Sequence, residues 1–196
     1  AIYKNATDNQ YNIVTDYSNN AVCVWKNEEN NLKELYKLYG HSGKVNTVTC
    51  FMDATSGAQC IVSGSDDKTV RVWNLSPDCS DCQWELFGHT ESVNDVATYD
   101  VSGVQYIVSG SSDKNVFVWD YKNKKRFVLE HGAKVKSVTT YKDESKQYIV
   151  SLDDINNLCV WDEQFNKVSV LKQTNPFNVL TTYMETTEKQ YFVSAG

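Results

Sequence analysis

Short apolar runs alternate with polar turns along the chain, and one such arrangement recurs. Its clearest copy is residues 61–74 (IVSGSDDKTVRVWN), where the runs IVS and VRVW flank the turn GSDDK. β-Branched and aromatic side chains favour strands, whereas Gly tolerates unusual φ angles and Asp can hydrogen-bond its own backbone. We therefore predict two short strands joined by a tight polar turn in each copy.

Further copies lie at residues 13–26, 107–120 and 149–162, and the first run of another lies at residues 192–194. In every complete copy a Ser or Thr precedes a Trp by ten residues: Thr15 and Trp25, Ser63 and Trp73, Ser109 and Trp119, Ser151 and Trp161. A spacing this constant indicates that the repeat defines the fold.

An aromatic residue ends the first strand of each unit, at intervals of 48, 48, 42 and 42 residues: Tyr3, Phe51, Tyr99, Tyr141 and Tyr183. Within the three central units the pattern predicts four strands each: 45–51, 58–63, 69–73 and 83–87; 93–99, 105–109, 115–119 and 125–129; 135–141, 147–151, 157–161 and 167–171. The links between them are too short for a helix, so the strands form antiparallel meanders. A period in the forties with four strands is typical of propeller blades, and the predicted fold class is an all-β propeller of four-stranded antiparallel blades.

The amino-acid composition limits the kinds of partner that we expect. The net charge is −6, which argues against nucleic acid as the main partner, and the one basic cluster, residues 122–126 (KNKKR), is interpreted as a solvated turn. No apolar run is long enough to span a membrane, so we expect no membrane insertion.

The cysteines indicate a compartment. Cys23, Cys50, Cys60 and Cys159 fall in predicted strands and read as small core residues of a reducing compartment, so we expect an intracellular, cytoplasmic protein. Cys79 and Cys82 form a single C-x-x-C in a loop. They are interpreted as loop thiols, with a disulfide or zinc ligation as alternatives.

All three histidines stand just before a first strand, in Gly40-His41, Gly88-His89 and Glu130-His131. These pairs, with the Ser, the turn Asp and the Trp-Asp or Trp-Asn at fixed offsets, resemble the WD-repeat β-propeller family over essentially the whole chain. The resemblance implies a hydrogen-bonded network within each blade. Two sets of positions match it completely: His41, Ser63, Asp67 and Trp73; His89, Ser109, Asp113 and Trp119.

The other units depart from the family pattern. The fourth has His131, Ser151 and Trp161, but Ile155 stands at the Asp position, and whether Asp154 substitutes is left open. In the first unit Asn19 takes the Asp position beside Thr15 and Trp25, and in the fifth Gln173 takes the His position. We expect these blades to be less rigidly tied, since unpaired buried polar groups cost about 1–3 kcal/mol each.

The repeat also predicts a domain plan. Blades span residues 1–39, 40–87, 88–129 and 130–171, with a partial blade at 172–196. We expect an incomplete ring, part of a propeller of seven or eight blades whose remainder lies outside this sequence. A small self-closed ring and closure through a second copy are the alternatives.

Each unit combines Ser, His and Asp, which invites comparison with a hydrolase. The Ser residues lack a nucleophile-elbow pattern, and the trio recurs as a structural bond set does, so we expect no catalytic role. The histidines lie one blade apart and do not converge on a metal. We predict no cofactor, no metal and no enzyme activity.

The family resemblance implies that the His and Asp loops open on one rim, where relatives bind peptides or proteins. Matching positions are Lys44, Asp66, Ser92, Ser112 and Lys134, which could equally be an ordinary solvated rim. The predicted function is a non-catalytic scaffold for protein or peptide partners. A regulatory or substrate-recruiting domain of a larger enzyme and an architectural subunit of a large complex are the alternatives.

Overall fold

The computed structural model describes residues 1–4, 11–28, 31–75, 82–143, 146–172, 179–184 and 190–195. Over these ranges the regular structure is β-strand, apart from a 3₁₀ turn at Ser18–Asn20. Within these ranges no helix is long and apolar enough to cross a membrane. The predicted all-β class is confirmed.

The strands form five sheets that follow one another along the chain. Sheet 1 contains β1 (Ile2–Lys4), β2 (Tyr11–Tyr17), β3 (Ala21–Glu28) and β4 (Asn31–Leu38). Sheet 2 contains β5 (Val45–Met52), β6 (Gln59–Ser65), β7 (Val70–Leu75) and β8 (Cys82–Leu86). Sheet 3 contains β9 (Val93–Val101), β10 (Val104–Ser111), β11 (Asn115–Asp120) and β12 (Lys125–Glu130). Sheet 4 contains β13 (Val135–Asp143), β14 (Lys146–Asp153), β15 (Asn157–Trp161) and β16 (Lys167–Lys172), and sheet 5 contains β17 (Val179–Met184) and β18 (Gln190–Ala195).

Each four-stranded sheet is an antiparallel meander in chain order, as the short links predict. The predicted strand ends in sheets 2 to 4 agree with the structure to within two residues. The described strands form separate sheets, and no ladder joins sheet 5 to sheet 1, so the ring is not closed over this part of the chain.

The register of the central hairpins explains the ten-residue spacing. In sheet 2, Trp73 lies opposite Ile61, two residues before Ser63 in the neighbouring strand. Residues two apart along a strand share a face, so Trp73 and Ser63 are diagonal neighbours on one side of the sheet. A fixed hairpin register therefore gives a fixed separation in sequence.

Neighbouring sheets pack face to face. One apolar core joins Val62 and Val72 of sheet 2 to Val93, Ile107 and Trp119 of sheet 3. A second core joins sheets 3 and 4 in the same manner. Stacking explains why the second and third strands are buried on both faces and do not alternate with polar residues.

Small polar residues link the first strands across the stack. The Asp95 carboxylate accepts hydrogen bonds from Thr47 Oγ1 of sheet 2 (3.0 Å) and from Ser137 Oγ of sheet 4 (2.6 Å). Ser137 Oγ in turn accepts from the Leu180 amide of sheet 5 (3.1 Å). Burial raises the pKa of the Asp95 carboxyl against these hydrogen bonds. The chain of bonds fixes the first strands of four successive sheets.

Candidate functional site

Four side chains of sheet 2 form a continuous buried network. His41 enters from the loop before β5, and its Nε2 lies 2.7 Å from Ser63 Oγ on β6. Trp73 Nε1 on β7 donates to the same Oγ at 2.8 Å. His41 Nδ1 lies 2.7 Å from Asp67 Oδ2 in the turn between β6 and β7. The network therefore ties two strands and two loops together inside one sheet.

These distances fit one arrangement of protons. Trp73 donates to Ser63, the Ser63 hydroxyl donates to His41 Nε2, and His41 Nδ1–H donates to the carboxylate. Burial lowers the pKa of His41, although Asp67 opposes this, so the imidazole is neutral near pH 7. Burial raises the pKa of Asp67, but hydrogen bonds from Thr69 and His41 outweigh it and bring that pKa to about 2.

Sheet 3 repeats the arrangement. His89 Nδ1 lies 2.7 Å from Asp113 Oδ2, and its Nε2 lies 2.8 Å from Ser109 Oγ. Trp119 Nε1 donates to that hydroxyl at 2.8 Å. The His89 ring also stacks on Phe117, with centroids 3.9 Å apart. Both sets that match the family pattern therefore come together in space.

Sheet 4 corrects our expectation of an incomplete network. His131 Nε2 lies 2.9 Å from Ser151 Oγ, and Trp161 Nε1 donates to that oxygen at 2.8 Å. The carboxylate beside His131 Nδ1 comes from Asp153, at 3.1 Å, and the Asp153 side chain is fully buried. Asp154 is exposed and does not substitute for the turn Asp. The network is complete because Asp153, at the end of β14, replaces the carboxylate that Ile155 lacks.

Sheet 1 keeps only part of the set among its described residues. Trp25 Nε1 donates to Thr15 Oγ1 at 3.0 Å, and Asn19 adopts a positive φ of 65° in the 3₁₀ turn. Gln173 of the fifth unit and Cys79 of the C-x-x-C lie outside the described residues.

The residue before each His is matched to a cation, a relationship that the motif alone did not reveal. A Cβ on Gly40 would overlap the Arg71 guanidinium, and a Cβ on Gly88 would overlap that of Arg126. The φ angles of these glycines, 159° and 150°, also disfavour a side chain. A side chain at either position would therefore have to displace a guanidinium group and adopt an unfavourable φ angle.

Sheet 4 has a side chain at this position and a smaller cation beside it. Lys167 Nζ donates to the Glu130 carbonyl at 3.1 Å and lies 4.6 Å from the Trp161 ring centroid. In sheet 3, Arg126 Nη1 donates in a similar way, at 3.2 Å, to the carbonyl of Phe87, which follows β8 of sheet 2. A compact ammonium leaves room for the Glu130 Cβ where a guanidinium would not.

The predicted rim residues lie in pairs at one edge of sheets 2 to 4. Backbone hydrogen bonds join the loop before each first strand to the turn after each second strand: Asp66 N to Lys44 O (2.9 Å), Ser112 N to Ser92 O (3.0 Å) and Asp154 N to Lys134 O (2.8 Å). The side chains of Lys44, Asp66 and Lys134 are exposed, and Ser92 and Ser112 are half-buried. We call this edge, defined by Lys44, Asp66, Ser92, Ser112 and Lys134, the rim.

Asparagines hold adjacent sheets together just below the rim. Asn46 Nδ2 donates to Asp66 Oδ1 (2.7 Å) and to the Val93 carbonyl of the next sheet (3.0 Å). Asn94 Nδ2 makes the corresponding bond to the Val135 carbonyl at 2.7 Å. The rim is therefore a fixed surface, with its loops anchored within and between sheets.

The buried networks are unsuited to nucleophilic catalysis. Ser63, Ser109 and Ser151 have no exposed surface, so a substrate could not reach their hydroxyls. In the ranges that the structure covers, no group of three or more His, Cys, Asp or Glu side chains could hold a metal ion.

The basic segment 122–126 is more than a solvated turn. Lys122 Nζ donates to Asp53 Oδ1 (2.8 Å) and Thr55 Oγ1 (2.6 Å) of sheet 2, and Tyr121 donates to Asp53 Oδ2 (3.0 Å). Arg126 packs 4.5 Å from the Phe117 ring centroid. Lys122 thus links sheets 2 and 3, and Arg126 covers an aromatic ring.

Comparison with known families agrees with the repeated network. Residues 32–74 and 80–120 match the family described as "WD domain, G-beta repeat". The chain carries WD40 repeats. The family implies a protein-interaction propeller and is generally non-catalytic.

The WD40 repeat and the sheet are out of phase. The first match begins in β4, the outer strand of sheet 1, and ends in β7 of sheet 2. The second begins two residues before β8, the outer strand of sheet 2, and ends in β11 of sheet 3. Each WD40 repeat therefore straddles two sheets and joins them covalently.

Curated relatives match short parts of the chain. "Suppressor of organelle fusion 2" of Caenorhabditis elegans is 33% identical over 39% of this chain and 5% of its own length. "Zinc finger CCCH domain-containing protein 62" of Arabidopsis thaliana is 41% identical over 30% of this chain and 14% of its own length. "Elongator complex protein 2" of Dictyostelium discoideum is 39% identical over 31% of this chain and 6% of its own length. The chain thus spans a small fraction of these relatives.

Proposed function

We propose that this WD40 chain is a non-catalytic interaction platform whose rim binds protein or peptide partners. The observation that carries the proposal is the repeated fixing of the rim. In sheets 2 to 4 the same backbone bond joins the two rim loops, directly above a buried His–carboxylate pair. A surface held this rigidly loses little conformational entropy when a partner binds.

The chemistry of the rim supports a polar partner. Lys44 and Lys134 are exposed cations on separate sheets, and Asp66 is an exposed anion beside Asn46, which bonds to the next sheet. Mixed charges of this kind favour specificity and association rate over raw affinity. Blades beyond those described here would extend the same surface, and we propose that they come from sequence outside this chain.

The test is quantitative affinity capture from a cell extract with two charge-matched variants. The rim variant carries Lys44→Glu and Lys134→Glu. The control carries Lys33→Glu and Lys146→Glu, at exposed positions near the starts of β4 and β14, away from the rim. We expect proteins retained by the wild type and the control to be lost from the rim variant. Equal capture by all three proteins would contradict a role for the rim.

We also propose an intracellular, cytoplasmic location. Cys23, Cys50, Cys60 and Cys159 are free thiols, and all but Cys50 are buried. Burial raises the pKa of Cys60 to about 12, so this thiol stays protonated. Free thiols of this kind are typical of reducing compartments. Imaging of the tagged protein in its own cells would test the proposal, and secretion would contradict it.

A further inference from the structure

A groove separates the outer strands of sheets 2 and 3, away from the rim. It has a volume of about 580 Å³ and lies between β8 and the turn and strand that follow Tyr121. We call it the interblade groove and define it by six of its lining residues: Trp84, Phe87, Tyr121, Lys124, Lys125 and Arg126.

One wall of the interblade groove is aromatic. The Trp84 ring lies edge-on to Tyr121, with centroids 6.3 Å apart, and Tyr121 is buried. Phe87, by contrast, is 66% exposed at the end of β8. An aromatic surface that continues from the interior to solvent can cover an apolar side chain of a ligand.

The other wall is cationic. Lys124 Nζ lies 5.5 Å from the Trp84 ring centroid, and the Arg126 guanidinium covers Phe117. Among the described residues no carboxylate lies within ion-pair distance of Lys124, Lys125 or Arg126. Within the described ranges, the positive charges of these three side chains are thus not paired with a carboxylate.

Both acidic side chains of the groove are already engaged. The Glu85 carboxylate lies 2.6 Å from the Arg71 guanidinium, and Asp120 accepts hydrogen bonds from the Asn123 amide and side chain. Asp120 keeps its negative charge, because its hydrogen-bond donors are neutral, but Lys124, Lys125 and Arg126 outnumber it. The groove is thus locally positive on a chain whose net charge is −6.

We propose that the interblade groove binds an extended acidic segment of a partner protein. An apolar side chain of the segment would lie against Trp84 and Phe87, and its carboxylates would pair with Lys124 and Lys125. Charge complementarity carries the choice of an acidic ligand. An extended peptide fits because β8 and β12 are edge strands that border the groove. The inference is independent of the rim and stands or falls separately from it.

The test is fluorescence anisotropy with a labelled peptide, DEDEFEDED, and its analogue DEDESEDED. Lys124→Glu with Lys125→Glu removes the cationic wall, and Phe87→Ser removes the exposed ring while keeping the Phe87 carbonyl bond to Arg126. Lys33→Glu with Lys146→Glu is the matched control, because it changes net charge equally but lies outside both the groove and the rim. Near-ultraviolet circular dichroism verifies that each variant is folded.

We expect the groove charge variant to weaken binding of DEDEFEDED about tenfold or more, since charge-assisted contacts are lost. Phe87→Ser and the analogue peptide should weaken binding to similar extents, and the Lys33→Glu, Lys146→Glu control should bind as the wild type does. Absence of binding by the wild type, equal weakening by the control variant, or tighter binding of a labelled oligothymidine would each overturn the proposal. None of these results would affect affinity capture through the rim.

Discussion

His131 Nδ1 lies 3.1 Å from Asp153 Oδ2, although Asp153 stands two residues before the position of the turn carboxylate in the neighbouring sheets. In sheet 2 that earlier position is Ser65, whose Oγ accepts the Asp67 amide at 3.1 Å. Asp153 Oδ1 accepts the Ile155 amide at the same distance. The Asp153 carboxylate thus makes in sheet 4 the bonds that Ser65 and Asp67 make in sheet 2. Ile155, at the position of Asp67, is 58% exposed.

This exchange is testable by rebuilding the pattern of sheet 2 in sheet 4. Asp153→Ser should lower the free energy of unfolding by about 2–3 kcal/mol, because it removes the buried partner of His131. Adding Ile155→Asp to that variant should recover at least half of the loss, measured by urea denaturation. Ile155→Asp alone should not stabilise the wild type. A double variant no more stable than Asp153→Ser would refute the exchange.

The glycine before each His predicts a second pair of effects. Gly88→Ala should destabilise the chain by about 1–3 kcal/mol, since its Cβ would displace the Arg126 guanidinium. Arg126→Lys should partly offset Gly88→Ala, because Lys167 occupies the corresponding place beside Glu130. Glu130→Ala serves as the control and should have little effect. Thermal unfolding measures the stability of Gly88→Ala, Arg126→Lys, their combination and Glu130→Ala. If the stability losses of Gly88→Ala and Arg126→Lys simply add in the double variant, the steric explanation is contradicted.

The central hydroxyl of each network should matter more than exposed ones. Ser63→Ala leaves Trp73 Nε1 and His41 Nε2 without their shared partner in the interior. We expect a loss of about 1–3 kcal/mol by urea denaturation. The exposed Ser42→Ala should change stability by less than about 0.5 kcal/mol. Similar values for the two variants would show that the hydroxyl contributes nothing specific.

Acid should weaken the fold through the histidines. Burial lowers the pKa of His41, His89 and His131 in the folded chain. As the pH falls through about 6.5, the unfolded chain takes up protons that the folded chain does not, so the free energy of unfolding decreases. This contribution is fully present above that pH.

Urea denaturation at about pH 7.5 and about pH 5.5 measures the decrease. Burial raises the pKa of Asp95, which acts in the opposite direction, so the comparison is made in an Asp95→Asn background. Titration of the histidine ring protons by NMR supplies the individual pKa values. Values above the ordinary 6.5 for all three rings would contradict this account.

The repeat made most of the fold predictable. A constant interval between Ser151 and Trp161, and between the corresponding pairs, follows from hairpin register and survives change at other positions. The networks of His41 and His89 were predictable for the same reason, because each member occupies a fixed phase of the repeat. Strand ends were predictable because Gly, Asp and Asn mark the turns.

The contacts that the sequence could not reveal are made by side chains that bond to residues at a different position of the repeat. Asp153 sits in a strand position, and only the geometry shows that its carboxylate reaches His131. Arg71 and Arg126 come from different strands, β7 and β12, yet cover the same glycine position. Lys122 looked like part of a charged turn because its partner, Asp53, is distant in sequence. A search for coordinated changes at equivalent positions, such as Gly88 with Arg126 against Glu130 with Lys167, would have given the one available signal.

The most direct test of the account is hydrogen exchange at the indole Nε1–H groups, followed by NMR. We expect slow exchange for Trp73, Trp119 and Trp161, since each donates to a buried hydroxyl at 2.8 Å. We also expect Asp153→Ser to accelerate exchange at Trp161 and to leave Trp73 unchanged. If Trp161 exchanges rapidly in the wild type, or if Asp153→Ser has no selective effect, the claim that sheets 2 to 4 share one completed network is wrong.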